Sequence, residues 1–267
     1  MDFSGWVYHF SMTKDSFRKR LAQKETLLGT LLTLPSPDLA EVLALTDLDW
    51  LFVDLEHSTM DAAVAQAILQ AVAGRVDCLL RVPLNDEDWI KKTLDTGATG
   101  IIVPQVNTVE EAERVVRFSR YPPQGERSVG LARAQGYGAD LQGYLRRANA
   151  EVVVVIQAEH ILAVQNIEAL VAVEGIDAIL VGPYDLSNSM GLVGQVEHPD
   201  VEAAIARVRK VCQAHGLPLG IFTASVERAA EFKAQGYNLL AVSTDGLLVS
   251  QSVKEIIQRL QDLFDPL

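Results

Sequence analysis

Cysteine is scarce in this sequence of 267 residues: only Cys78 and Cys212 occur, each inside an apolar segment and far apart along the chain. No disulfide framework is expected, which fits a reducing compartment, so a cytoplasmic location is expected. Long apolar runs are missing too. The longest, such as Val152–Ile156, are strand-sized and far short of the roughly 20 residues that span a bilayer. Asp2, Lys14, Asp15, Arg18, Lys19 and Arg20 punctuate the N-terminal stretch, so no signal peptide is expected. Positive charge is in short supply, with 23 Lys and Arg against 35 Asp and Glu, a net charge of −12. Nucleic acid and anionic membrane surfaces are therefore not expected partners, although a locally positive pocket can still take a small anion. Phosphate-cradling loops of the GxxxxGK or GxGxxG type are absent, as are HExxH and GxSxG. Those absences argue against P-loop and Rossmann nucleotide sites, zincins and serine hydrolases.

What the chain does have is alternation. Eight apolar runs occur in order: Leu28–Leu34, Trp50–Asp54, Cys78–Val82, Gly100–Pro104, Val152–Gln157, Asp177–Val181, Leu217–Phe222 and Asn238–Val242. They are continuous rather than alternating, as strands buried on both faces should be, and each is followed by a helix-like segment. Leu39, Val42, Leu43 and Thr46 predict one helix face. Val109, Ala112, Val115 and Val116 predict another, with Thr108 and Glu111 placed as a capping box. Val253, Ile256, Ile257, Leu260 and Leu263 predict an amphipathic last helix. Eight βα pairs without hairpins predict an α/β fold, a (β/α)8 TIM barrel over residues 27–267. An open doubly wound sheet is the alternative, and it usually carries the glycine-rich loop missing here. Residues 1–26 form an N-terminal extension with a helix predicted over about 14–23. Residues 121–150 form an insertion after the fourth βα unit, placed to reach over the barrel mouth.

Barrel chemistry gathers at the C-terminal ends of the strands. Read there, the sequence offers Asp54, Glu56 and His57 after the second run, Arg81 after the third, Gln157 and Glu159 after the fifth, and Gly182-Pro183-Tyr184-Asp185 after the sixth. Two carboxylates on adjacent strands, Glu159 and Asp185, suit a hard divalent cation. They equally suit helix caps, since acids favour a first helical turn. Arg81 can fix a carboxylate or face a developing oxyanion, or simply tie strand to loop. His57 can move protons near neutral pH, or be a loop residue bonded to a neighbour. Asp95, near the end of the third helix, has no evident role by itself. A Schiff-base mechanism needs a lysine at a strand end. Lys14, Lys19, Lys24, Lys91, Lys92, Lys210, Lys233 and Lys254 all fall in predicted helices or the N-terminal segment.

Several stretches together resemble the metal-dependent HpcH/HpaI aldolase family. They are Val53-Asp54-Leu55-Glu56-His57, Leu80-Arg81-Val82-Pro83, Leu94-Asp95-Thr96-Gly97-Ala98, Arg120 to Arg127, Gln157-Ala158-Glu159 and Gly182 to Ser187, and the resemblance runs from about Leu27 to Leu248. It implies a (β/α)8 barrel and a class II pyruvate aldolase that cleaves a 4-hydroxy-2-keto acid to a 2-keto acid and an aldehyde. Glu159 and Asp185 would hold Mg2+, Mn2+ or Co2+. Arg81 would lie against the enolate oxygen, and His57, paired with Asp95, would move the proton. Gln157, Gly182, Tyr184 and Asp185 would contact the keto acid, with Asp54 and Glu56 standing behind them. It also implies a homo-oligomer, commonly a hexamer, with the last helix packed on a neighbour. The sequence departs from the family at Leu31, Leu55, Gln105 and Tyr184, where Trp, Gly, Met and Ala are usual, so the aldehyde pocket is its own. A citrate-lyase-like or malyl-thioester lyase, and a non-catalytic keto-acid-binding barrel, remain alternatives.

Overall fold

Eight parallel strands close on themselves in sequence order, with β8 pairing back onto β1. The computed structural model describes residues 15–264. The strands are β1 (Leu27–Leu32), β2 (Trp50–Asp54), β3 (Asp77–Arg81), β4 (Gly100–Val103), β5 (Val153–Ala158), β6 (Ala178–Val181), β7 (Leu219–Thr223) and β8 (Leu239–Thr244). The helices are α1 (Phe17–Ala22), α2 (Pro37–Leu43), α3 (Ala62–Val72), α4 (Glu87–Asp95), α5 (Val109–Ser119), α6 (Leu141–Glu151), α7 (Ile161–Gln165), α8 (Ile167–Leu170), α9 (Pro183–Ser189), α10 (Pro199–His215), α11 (Val226–Ala234) and α12 (Asp245–Phe264). The expected (β/α)8 barrel is therefore the fold. No helix among the described residues is long and apolar enough to cross a membrane.

The unbroken apolar runs follow from two-sided burial. Every residue of β2, β4, β5 and β6 is buried. Successive side chains point to opposite faces. Trp50, Phe52, Leu79, Ile102, Val153, Val155 and Leu180 form one cluster inside the barrel, while Leu51, Val53, Leu80, Ile101, Val154 and Ile179 pack under the helices. Trp50 fits because residue 29 is glycine: a Cβ there would lie 2.5 Å from the indole Nε1. Phe17 and Leu21 of α1 join Trp50 in the interior cluster, so this short helix stoppers the N-terminal end of the barrel. The predicted start of that helix, Lys14, lies outside the described residues. Cys78 and Cys212 are unpaired and buried, and burial pushes both thiols up to about 12.

The seam between last and first strands is held by a carboxylate. Asp245 accepts hydrogen bonds from the backbone N–H of Thr33 (3.1 Å) and Leu34 (2.8 Å) and from the Thr33 hydroxyl (2.8 Å). A strand-end acid thus serves closure rather than chemistry.

Three expectations need correction. The 121–150 segment does not cover the barrel mouth. It leaves the C-terminal end of α5 and leads into the start of β5, so it lies at the N-terminal rim. There Arg127 meets Asp95 at 2.7 Å and Arg133 Nη1 donates to the Thr96 carbonyl at 2.8 Å. A helix returns the chain to the bottom of a barrel, and whatever follows it stays there. The predicted apolar face of α2 is shifted: Ala40 is buried, with Leu39 and Leu43 packed beside it, whereas Val42 is 59% exposed. Asp95 is not beside His57 within the chain. It sits at the bottom end of α4, where Arg127 and Gln135 donate to its Oδ1, whereas His57 follows β2 at the top. The capping box of Thr108 and Glu111 is present at the start of α5.

Candidate active site

Asp54 organises one half of the upper rim. It is the last residue of β2, fully buried, and pairs in register with Arg81, the last residue of β3. Arg81 Nε donates to Asp54 Oδ1 at 2.8 Å and Nη2 to Oδ2 at 2.6 Å, a two-pronged charge-assisted bond. The same Oδ1 accepts the backbone N–H groups of Glu56 (3.0 Å) and His57 (3.3 Å). One carboxylate therefore fixes both the guanidinium and the turn that carries the imidazole. Arg81 also lies over the Phe52 ring, 5.2 Å from its centroid, and 3.2 Å from Glu56 Oε2. Burial works against its charge, but Asp54, Glu56 and Glu159 outweigh that and raise its pKa.

Glu159 organises the other half. It is 2% exposed, just past β5. Its Oε1 accepts the backbone N–H of Gln105 at 2.7 Å and its Oε2 accepts Gln157 Nε2 at 2.8 Å. Gln105 reaches it from a left-handed conformation, φ +54°, which non-glycine residues adopt rarely and mostly where something demands it. Glu159 does not cap the following helix: His160 does, its Nδ1 accepting Leu162 N–H. Gly182 makes room for the carboxylate, because a Cβ there would stand 3.0 Å from Glu159 Oε2.

Between the two halves lies a cavity of about 140 Å3 lined by His57, Arg81, Gln157, Gly182, Tyr184 and Asp185 together with an apolar wall. Of the strand-end residues singled out in the sequence, these six meet around one space, whereas Asp54, Glu56 and Glu159 do not line it. Asp185 is in the first turn of α9 rather than its cap, which is Gly182. The His57 side chain is 64% exposed, with Nε2 3.9 Å from Glu56 Oε2. Two contributors were not legible beforehand. The Gln105 amide works through the backbone, so its residue type carries no signal, and the Phe52, Leu180 and Phe222 part of the apolar wall looks like ordinary core in sequence.

The charges around the cavity do not balance. Glu56 Oε2 is buried and lacks a hydrogen-bond partner. Glu159 lies within the fields of Glu56, Asp185 and Arg81, and Arg81 is already matched by Asp54. Burial first, then the charges of Glu56 and Asp185, push the Glu159 carboxyl up to about 7, although the Gln105 amide and Arg81 pull it down. A surplus of buried carboxylate at an open cavity fits a cation. Among the described residues no three His, Cys, Asp or Glu side chains converge as ligands. The protein would supply two carboxylates, with substrate and water completing the coordination, as hard cations such as Mg2+ accept.

A pH dependence follows. Between the ordinary value of 4.5 and about 7, folded Glu159 keeps a proton that the unfolded chain has released. In the cation-free protein this group's contribution to stability therefore falls as pH rises through that window and is level above it. Binding of Mn2+ at pH 6 is expected to expel close to one proton from the site, and at pH 8 almost none. Calorimetry in buffers of different ionisation enthalpy measures this, and equal release at both pH values would remove Glu159 as the group displaced.

Residues 28–252 match the family model described as HpcH/HpaI aldolase/citrate lyase. The chain belongs to the HpcH/HpaI aldolase/citrate lyase family. It is 39% identical to a 4-hydroxy-2-oxovalerate aldolase of Rhodococcus jostii, over 92% of this chain and 95% of that one. It is 38% identical to a hydroxypyruvate/pyruvate aldolase of Cupriavidus necator, over 90% of each. Among solved structures, an HpcH/HpaI family protein of Burkholderia cenocepacia superposes with a TM-score of 0.89 at 34% identity, covering 91% of this chain and 98% of that one. The cavity lies at the C-terminal end of the strands, the end at which barrel enzymes carry their active sites.

Proposed function

We propose that this HpcH/HpaI family member is a divalent-metal-dependent carbon–carbon lyase that cleaves a 4-hydroxy-2-keto acid to pyruvate, or a similar 2-keto acid, and an aldehyde, reversibly. The observation that carries the reading is the meeting of Asp185, Arg81 and Gln157 around one cavity, with His57 at its edge and the buried Glu159 bonded to Gln157 and within the fields of Asp185 and Arg81. The relatives named above are a 4-hydroxy-2-oxovalerate aldolase and a hydroxypyruvate/pyruvate aldolase.

Glu159 and Asp185 would hold Mg2+, Mn2+ or Co2+. Such an ion supplies positive charge to the keto oxygen as electrons move onto it. Arg81, held rigid by Asp54, aims a permanent charge into the same cavity. Gln157 sits between Arg81 and Glu159, able to hydrogen-bond the bound keto acid. His57 takes the proton of the 4-hydroxyl. The bond between carbons 3 and 4 then breaks, the aldehyde leaves, and a proton returned to carbon 3 completes the keto acid. No oxidant or reductant is needed.

The test is exchange of the pyruvate methyl protons in deuterated water, which reads enolate formation without an acceptor. Exchange is expected with Mn2+, Co2+ or Mg2+ and is expected to stop on exhaustive chelation. Full exchange after chelation would sink the reading. His57→Ala is expected to slow cleavage on the order of 10²–10⁴-fold, as for loss of a general base. A normal rate would take His57 out of the mechanism.

A homo-oligomer joined through α12 is part of the same reading. Leu247, Leu248, Val253, Ile256, Ile257 and Leu260 are each at least 38% exposed on that helix. A stripe of that size is normally covered. A single-chain mass by light scattering would count against it.

A further inference from the structure

The wall of the cavity away from the charged groups is hydrocarbon. Leu31 comes from β1, Phe52 from β2, Leu180 from β6 and Phe222 from β7, and Pro183 and Tyr184 close it from the start of α9. A second cavity of about 130 Å3 lies next to it and shares Pro183, Tyr184 and Phe222. The Tyr184 and Phe222 rings stand 6.3 Å apart, inclined by 54°. This pair is the partition between the two spaces.

Charge is distributed just as unevenly. Among the described residues Arg81 is the one permanent cation lining the first cavity, and Asp54 already occupies its Nε and Nη2. In the second cavity Arg228 is paired with Glu202 at 3.0 Å and Glu231 at 2.7 Å. Among the described residues, neither space offers a free cation to a second carboxylate.

We infer that the aldehyde partner of this enzyme is a short, uncharged aldehyde with an apolar chain, and that Tyr184 and Phe222 set the limit on that chain's length. The inference rests on the aldolase reading and deepens it. A carboxylated aldehyde would bring its charge toward Glu56, Glu159 and Asp185, with no unpaired guanidinium or ammonium among the described residues of the two spaces to receive it. A polyhydroxylated aldehyde would lay its hydroxyls against Leu31, Leu180 and Phe222, and a buried hydroxyl without a partner is unfavourable. Apolar pockets discriminate by roughly 10–200-fold per methylene and by about 10²-fold against an added hydroxyl.

The experiment compares matched acceptors with the full-length protein, pyruvate and Mn2+. Butanal is set against succinic semialdehyde, which carries a carboxylate in place of the methyl, and propanal against glyceraldehyde. In each pair the apolar member is expected to have the higher kcat/KM by 10-fold or more. Hexanal is expected to be poorer than propanal in the parent. Phe222→Ala and, separately, Tyr184→Ala open the partition and are expected to raise the hexanal-to-propanal ratio at least 10-fold. The ratio is taken within each protein, so a variant of lower overall activity still reports. Tyr184 is half exposed, so its variant stands in should Phe222→Ala fold poorly. A preference for the carboxylated or hydroxylated member, or unchanged ratios in both variants, would overturn the inference. Methyl-proton exchange is measured alongside: exchange with the wrong acceptor order defeats this inference alone, whereas absence of exchange defeats the aldolase reading itself.

Discussion

Glu159→Gln is expected to lower turnover about 10³-fold or more while leaving the barrel folded. The loss corresponds to the several kcal/mol that a bound cation contributes to a developing oxyanion. Gln keeps the shape of the side chain and an oxygen for the Gln105 amide, 2.7 Å away in the parent. The stability result should run the other way from the activity result. The raised pKa of Glu159 shows that its ionised form is disfavoured here in the absence of a cation. Above pH 7 the cation-free variant is therefore expected to melt at or above the parent's temperature. Adding Mn2+ should raise the melting temperature of the parent but not of the variant, since only a ligand that binds the folded state shifts the midpoint. A variant that keeps both its turnover and its Mn2+-dependent melting shift would show that the cation, if any, sits elsewhere.

The second large effect concerns the acid that holds Arg81. Asp54→Ala leaves the Arg81 guanidinium, 7% exposed, without its two-pronged partner. Breaking a buried pair this way costs about 3–5 kcal/mol. At about 2–4 °C per kcal/mol for a chain of this size, the melting temperature should drop by roughly 6–20 °C. Turnover should fall as well, because the Glu56 and His57 amides lose their acceptor and Arg81 is free to swing. Combining Asp54→Ala with Arg81→Met separates the two consequences. Removing both charges should recover much of the stability and none of the activity. Strictly additive stability losses would show that the pair is not coupled, and the positioning role of Asp54 would fall with it.

The barrel was legible in the sequence because its strands are buried on both faces. The runs containing Val153–Ala158 and Trp50–Asp54 advertise that with unbroken apolar residues, and parallel pairing leaves few other ways to hide them. The gathering of Arg81, Gln157 and Asp185 was legible from the rule that strand ends converge. What failed was direction and handedness. Nothing in the composition of 121–150 says which rim it occupies, but its place after a helix does, and that sends it to the bottom with Asp95 and Arg127. Val42 satisfied a periodic pattern yet points outward, because α2 is only two turns long and turns Ala40 inward. The sign of φ at Gln105 is set by tertiary demand from Glu159 and has no trace in the residue's identity.

The latch at Asp245 has a consequence for how the chain comes to be. Its carboxylate grips the end of the first strand, yet it lies more than two hundred residues downstream of Thr33. During synthesis on a ribosome, the early strands must wait as an open sheet with a bare edge until the eighth strand and this acid emerge. Such long-range closure is slow and exposes edges that invite wrong pairings. The last strand, and the carboxylate that follows it, thus make completion of the barrel a late event in the life of the chain.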